Sequence, residues 1–397
     1  MLKDLKIWQK FTLIAVAFSL PILALSYFLI VETNRNIEFT RTELEGTRVL
    51  RPLHRLGVDV AAHRDLASAY LAGDSSFQAD LDKRGEMIEA DLRAIAAADD
   101  RYGFANPDDL VAVKKSWAAI KAALPGWKLD QSFEEHSRFL RTVDLFTVLI
   151  GNGANLNLDP RDDSHYLVDA LVIRIPKLTD EISGARAVGV AFLASGAQGD
   201  VNSQRRSVLA EAAVKIQDAL FQQSSFIRFA TGKSHPRSEQ ALAGPIADNN
   251  KAAATYNNLL INKVVNATGD LPGGKDYFAA ATAPLDAADK LWQAIVMELD
   301  RLLSERTLAL TKNRMIEIGV VAVALLLTIL FLVVVVRAIT RPIAHLSEVA
   351  DRISLGEMDA TINVDTRDEI GELGERFRRL QVSLKAAMDA LEQREED

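Results

Sequence analysis

The stretch VVVVRAITRPIAHL, Val333 to Leu346, decides how the rest of the chain is read. It begins as pure hydrocarbon and ends as charged helix with a proline at the change. Its apolar side completes a longer uncharged run, IGVVAVALLLTILFLVVVV, from Ile318 to Val336. A second uncharged run, FTLIAVAFSLPILALSYFLIV, covers Phe11 to Val31. A spanning helix needs about 20 apolar residues, so each run can cross a bilayer. Ala24, Leu25 and Ser26 offer a signal-peptide cleavage spacing. The apolar run continues past Ser26, however, and reads as an uncleaved anchor. Lys3, Lys6 and Lys10 flank the first run, and Arg337 and Arg341 follow the second. The positive-inside rule then puts both termini in the cytoplasm, with Lys312 and Arg314 pulling weakly the other way.

The expected layout follows from these runs. Residues 1–10 form a cytoplasmic N-terminus, 11–31 a first membrane helix, 32–314 a periplasmic sensor domain and 315–336 a second membrane helix. Residues 337–391 follow on the inner side as an amphipathic segment, and 392–397 begin a linker. The location is a bacterial inner membrane, with membrane lipid as one partner.

Composition narrows the function. The net charge is -8, which argues against nucleic acid as a partner. Zero cysteine excludes disulfides and thiolate metal sites. Aromatic residues are 7% and charged residues 25%, which is the balance of helical bundles rather than sandwiches. The fold class is all-α.

Between the two runs, Gly, Pro, Asn and Asp clusters mark breaks at residues 72–76, 104–109, 124–132, 151–164, 194–200, 231–238 and 267–276. The segments between them carry apolar residues at three- and four-residue steps, which predicts eight helices. HRDLASAYLAGD from His63 aligns with ARAVGVAFLASG from Ala185. The register extends outward: Leu53, Leu56, Val60, His63, Ala67 and Tyr70 match Ile175, Leu178, Ile182, Ala185, Gly189 and Phe192. Two related four-helix bundles are therefore expected, about 32–155 and 160–314, either stacked or side by side.

After the second run a heptad seam appears at Ile339, Ile343, Leu346, Ala350 and Ile353. Gly356 ends it, Met358, Ile362 and Val364 are the apolar points of a non-helical connector, and a second seam runs Ile370, Leu373, Phe377, Leu380, Leu384, Ala387 and Leu391. Two amphipathic helices with one stripe each need partners, which a parallel homodimer supplies.

This segment resembles the HAMP domain, the signal-relay module of bacterial chemoreceptors and sensor histidine kinases. The resemblance rests on Arg341-Pro342 opening the first helix, LGEMD ending it and RDEIGEL opening the second. Pro342 suits a first helical turn. Asp368 and Glu369 suit a helix start, with Ile370 and Gly371 just inside it. At FRRL the chain departs from the family, where Asn and Met commonly follow the Phe. The resemblance implies that Arg341, Pro342, Leu346, Gly356, Met358, Ile362, Val364, Asp368, Glu369, Ile370, Gly371, Phe377 and Leu380 carry the relay. The implied output is a kinase, a chemoreceptor hairpin or a nucleotide cyclase, reached through a downstream kinase or adaptor. The alternative is a membrane-tethered structural or adaptor protein without a small-molecule ligand.

Catalytic chemistry is not expected from this chain, and neither a cofactor nor a metal is. GKS at 232–234 has Ile227 where a phosphate loop needs glycine, and the six histidines are scattered. His63 reads as a packed core residue. For ligand contact the candidates are Arg64, Arg186, Asp159, Tyr166 and Arg174. Arg64 and Arg186 hold equivalent places in the repeat, beside Ala67 and Gly189, where a planar fork either turns inward to meet a small periplasmic anion or snorkels outward to a weak surface ion pair. The Arg64 segment is similar to the Arg-Gly-Leu motif of nitrate- and nitrite-sensing helical domains, with Asp65 and Ala187 in the glycine position. Asp159 and its neighbours read as a charged loop in which Asp162, Asp163 or Ser164 caps the next helix.

Overall fold

The computed structural model describes the chain except Met1 and residues 195–199, 233–235, 269 and 396–397, and omits the side chains of Leu2, 200–202 and 391–395. The 194–200 and 231–238 breaks are therefore described only at their edges. His235, most of the GKS triplet, the Leu391 seam position and the linker side chains lie outside the described residues.

Every regular element among the described residues is helical. The order is α1 Ile7–Leu71, α2 Gln78–Tyr102, α3 Pro107–Ala123, α4 Leu129–Gly153, α5 Asp162–Asp169, α6 Ile175–Ala194, α7 Asp200–Ala230, α8 Pro236–Leu259, α9 Gly274–Ser354 and α10 Glu369–Glu395. A π-helical turn, Ala170–Arg174, joins α5 to α6 without a break, and another, Leu260–Val265, closes α8. With α5 and α6 counted as one rod, the described residues between the apolar runs form eight rods, the number the break pattern predicts.

The chain divides into two compact units, Asn36–Leu310 and the pair Met1–Arg35 with Thr311–Asp397. In the first, both repeat seams are buried: Leu53, Leu56, Val60 and Ala67 on α1, Ile175, Leu178, Ile182, Ala185 and Phe192 on α6. Each such large side chain contributes about 1.5–3 kcal/mol by leaving water. One core joins Leu53, Phe139 and Val143 to Leu291, Ile295 and Leu299 of α9, and to Ile227 and Leu242 of α7 and α8. A second gathers Leu178, Phe192, Leu209, Ile216, Tyr256 and Tyr277. Helices α1 and α9 run antiparallel along this seam, with Thr47 and Arg51 both on Asp300 at 2.5 Å.

The π turn has a local cause. There the Ile175 N–H bonds to the Ala170 carbonyl, five residues back. By the same step the Leu171 carbonyl needs the N–H of residue 176, and Pro176 has none. The indole Nε1–H of Trp292, on α9, donates to that carbonyl at 3.1 Å. A buried acceptor orphaned by the sequence is thus satisfied from another helix.

In the other unit, both apolar runs lie inside long helices, α1 of 65 residues and α9 of 81. Each is long and apolar enough to cross a membrane. Arg314 donates to Asn34 Oδ1 at 2.9 Å and Thr33 to Glu317 at 3.3 Å, tying the two helices together. One expectation is corrected: α9 runs through Pro342 to Ser354, so Pro342 sits inside a helix and does not open one. Its missing N–H leaves the Ala338 carbonyl without a helical donor, a local weakness that flanking turns hold straight.

Candidate functional site

The repeat arginines mark the centre of the Asn36–Leu310 unit. Arg64 and Arg186 are both buried and both turn inward. They converge on Asp65, which is fully buried. Arg186 Nε donates to Asp65 Oδ2 at 2.7 Å, and Ser183 donates to the same oxygen at 2.8 Å. Arg64 bonds Ser137 Oγ at 2.9 Å and pairs with Asp180 at 2.9 Å. Its Nε stands 3.6 Å from Asp65 Oδ1. The oxyanion expected beside these arginines is supplied by the chain itself. Burial pushes the Asp65 carboxyl up, against the pull of Arg186 and Arg64. The carboxylate remains tolerable only because both guanidiniums face it.

The space expected beside Gly189 is filled. The Tyr277 ring lies where a Cβ on Gly189 would fall, 2.3 Å away, and its hydroxyl donates to the Ala185 carbonyl at 2.8 Å. The Tyr256 hydroxyl meets it at 2.8 Å. Gly189 therefore admits a ring of the chain's own. His63 is a packed core residue bonded to His136 at 2.8 Å. Burial lowers their pKa values to about 3 and about 4, so the pair stays neutral.

Further along the same seam, His54 stacks on Trp292 at 3.9 Å and bonds Asp289 at 2.8 Å. Beside it lies a cavity of about 40 Å³ between α1, α4, α6 and α9, with Asp180 and Pro176 on its wall. That volume holds only water-sized guests.

The other ligand candidates fall in two further places. Asp159 is buried and receives Arg306 of α9 on both oxygens, at 3.1 and 3.3 Å. Arg306 also reaches Glu43 of α1 at 3.3 Å. Asp163 lies 3.8 Å from Arg306 and 2.9 Å from Arg161. Burial, then the Asp159 charge, raises Glu43 to about 8. Position 161 is the cap of α5, and Arg161 gives no side-chain cap bond, which corrects the capping expectation; Asp162 and Asp163 sit in the first turn. Tyr166 and Arg174 meet around Phe226, with the Arg174 guanidinium 3.9 Å over the ring and Tyr166 at 5.9 Å. Arg174 is held by Asp169 at 2.8 Å and Gln222 at 2.8 Å. Asp65, Glu43, Trp292, Tyr277 and Arg306 carried no motif; Glu43 and Arg306 are 263 positions apart.

At the other end, Leu346 and Val349 of α9 are buried within the single chain, and Ile343, Ala350 and Ile353 are half-buried. Gly356 has φ 97°, a turn that L side chains resist. The connector then buries Ala360, Ile362 and Val364 in alternation, with Met358 half-buried. Helix α10 straps it down. Arg378 donates to the Ile362 and Val364 carbonyls at 3.2 and 3.0 Å, and Gln381 to those of Met358 and Ala360 at 2.9 and 2.7 Å. Asp368 accepts from the Ile370 and Gly371 N–H groups at 3.1 Å each. Its bonds with Thr366 and then Gly371 hold its carboxyl below the usual range. A Cβ on Gly371 would strike the Thr366 carbonyl oxygen. Ile370 and Phe377 pack on this cluster, while Glu369 and Arg341 stay exposed and Pro342 is half-buried. Leu373, Leu380 and Leu384 remain exposed within the single chain.

Residues 334–386 match the HAMP domain. The chain thus carries a HAMP match together with two helices long and apolar enough to cross a membrane. Among curated proteins the chain is similar to a putative sensory transducer protein of Acetivibrio thermocellus, 40% identical over 65 residues, 16% of this chain and 12% of that one. It is also similar to the methyl-accepting chemotaxis protein McpA of Bacillus subtilis strain 168, 34% identical over 73 residues, 18% of this chain and 11% of that one. The chain spans about an eighth of the length of the curated relatives it matches. No solved structure matches it.

Proposed function

We propose that the chain is a two-pass receptor of the bacterial cytoplasmic membrane. Its Asn36–Leu310 unit faces the periplasm and binds a small ligand. The message is displacement of α9, received by a parallel HAMP dimer and passed to a kinase-linked output. The observation that carries this reading is α9 itself, one unbroken helix of 81 residues holding bundle core, apolar span and HAMP seam. Such a rod transmits shifts of an ångström or two without new structure. The exposed Leu373, Leu380 and Leu384 supply the dimer seam, since an apolar stripe on a HAMP helix is stable only when covered.

Single cysteines test the assembly. Leu380→Cys should crosslink to its twin on mild oxidation, and Val382→Cys, two residues on and about 200° around the helix, should not. Equal rates would sink the packing. Topology is read from reporter fusions: one active only in the cytoplasm should work after Leu391 and fail at Gly273. The reverse pattern would overturn the orientation.

A further inference from the structure

At the start of α1 an open-sided recess of about 430 Å³ is lined by Lys3, Lys10, Leu13, Ile14 and Ala17. The last four follow steps of three, one and three, so they share one face of the helix. Lys3 belongs to a single 3-10 turn, Leu2–Asp4, and reaches that face because the chain bends at Leu5 before α1 begins. The bend is fixed by a hydrogen bond from the Lys6 N–H to Gln9 Oε1 at 2.9 Å, which is half of a capping box. Two ammonium groups therefore stand over an apolar strip. Lys6, between them in sequence, does not line the recess, and neither does Asp4.

The strip is the first part of the uncharged run Phe11–Val31, and its Leu13 and Ile14 are exposed. Trp8, exposed beside it, suits the headgroup level of a bilayer. The recess thus offers two positive charges where headgroups lie and hydrocarbon just beyond. A zwitterionic headgroup would set its own cation beside two ammonium groups. A free phosphate would leave Leu13, Ile14 and Ala17 uncovered. We propose that this recess binds an anionic phospholipid. Its phosphate lies between Lys3 and Lys10, and the start of one acyl chain lies along Leu13, Ile14 and Ala17.

Such a lipid sets the depth of α1 by a specific contact as well as by apolar length. A shift of α1 along the bilayer normal would draw two ammonium groups away from one phosphate. The site needs only that the apolar run of α1 lies in a bilayer, which its length and hydropathy allow. It does not depend on ligand binding by the Asn36–Leu310 unit, on which side of the membrane that unit faces, or on dimerisation.

The test is native mass spectrometry of the full chain in detergent micelles, titrated with phosphatidylglycerol or with phosphatidylcholine of the same acyl chains. The tightest phosphatidylglycerol should bind about tenfold or more strongly than phosphatidylcholine. Lys3→Gln and Lys10→Gln should each weaken it about fivefold. Lys6→Gln removes an equal charge from the same segment and should weaken it by less than about twofold. Ala17→Trp fills the strip, leaves both charges in place and should weaken binding about threefold or more. Equal binding of the two lipids overturns the site. So do equal losses at the three lysines, which would mean a diffuse basic foot, and binding indifferent to Ala17→Trp. Glycerol 3-phosphate offers the same phosphate without acyl chains and should not displace the lipid at about a hundredfold excess. Displacement would assign the recess to a free phosphate and overturn the lipid.

Discussion

Glu43 should make the Asn36–Leu310 unit lose stability as pH rises through neutrality. Three carboxylates, Glu43, Asp159 and Asp163, surround two guanidiniums, Arg306 and Arg161. Glu43 is fully buried, and its Oε1 has no partner. Glu43 keeps a proton, which hydrogen-bonds to Asp159. The unfolded chain releases that proton near 4.5, while the folded chain keeps it to about 8. Across this window the folded state holds the extra proton, so raising pH favours unfolding. At about 1.4 kcal/mol per pH unit, the loss is on the order of 5 kcal/mol, complete above the folded value. Glu43→Gln keeps an amide donor for Asp159 and removes the proton. Urea unfolding of the full chain in nanodiscs, followed by helical circular dichroism at pH 5 and pH 9, reads the difference. The wild type should lose several kcal/mol more than Glu43→Gln between these values. Parallel pH dependence in the two proteins would refute the proton on Glu43, whatever their absolute stabilities.

Asp65→Ala should cost about 3–5 kcal/mol in the same unfolding assay, because it strands two buried guanidiniums; Asp65→Asn should cost less, and equal losses would deny the charge pairing. Gly189→Ala should cost about 1–3 kcal/mol by driving Tyr277 off its place, and a neutral result would mean the ring is not held there. Arg378→Ala removes the donor from two connector carbonyls and should raise amide exchange at the connector while leaving α10 helical; unchanged exchange would show that Gln381 suffices.

Period, charge and breaks made the all-α class, both spans, the eight rods and the HAMP segment legible, because each is a local pattern. Gly356, Asp368 and the connector alternation were likewise read from neighbours in sequence. The repeat set Arg64 and Arg186 in equivalent places and left their direction open; the structure turns both inward. The repeat could not reveal that Asp65, adjacent in sequence to one and 121 positions from the other, would neutralise both. Tyr277 over Gly189 and Arg306 on Glu43 are long-range pairings of the same kind, set by which helices become neighbours. Pro342 misled because a proline at a first helical turn and one inside a long helix look alike in sequence. Arg378 was read as a departure from family habit, and its role emerged only once the connector carbonyls lay beside it.

The Leu171 carbonyl, left without a donor by Pro176, gives α9 a fulcrum. At one level of the helix, Trp292 grips that carbonyl while Asp289 and the indole face clasp His54 of α1. A slide of one helical residue, about 1.5 Å, would strain the indole bond and shear the stacked rings. A tilt about the same point disturbs neither. Within the Asn36–Leu310 unit, the contacts at Trp292 therefore resist sliding of α9 more than tilting about that level.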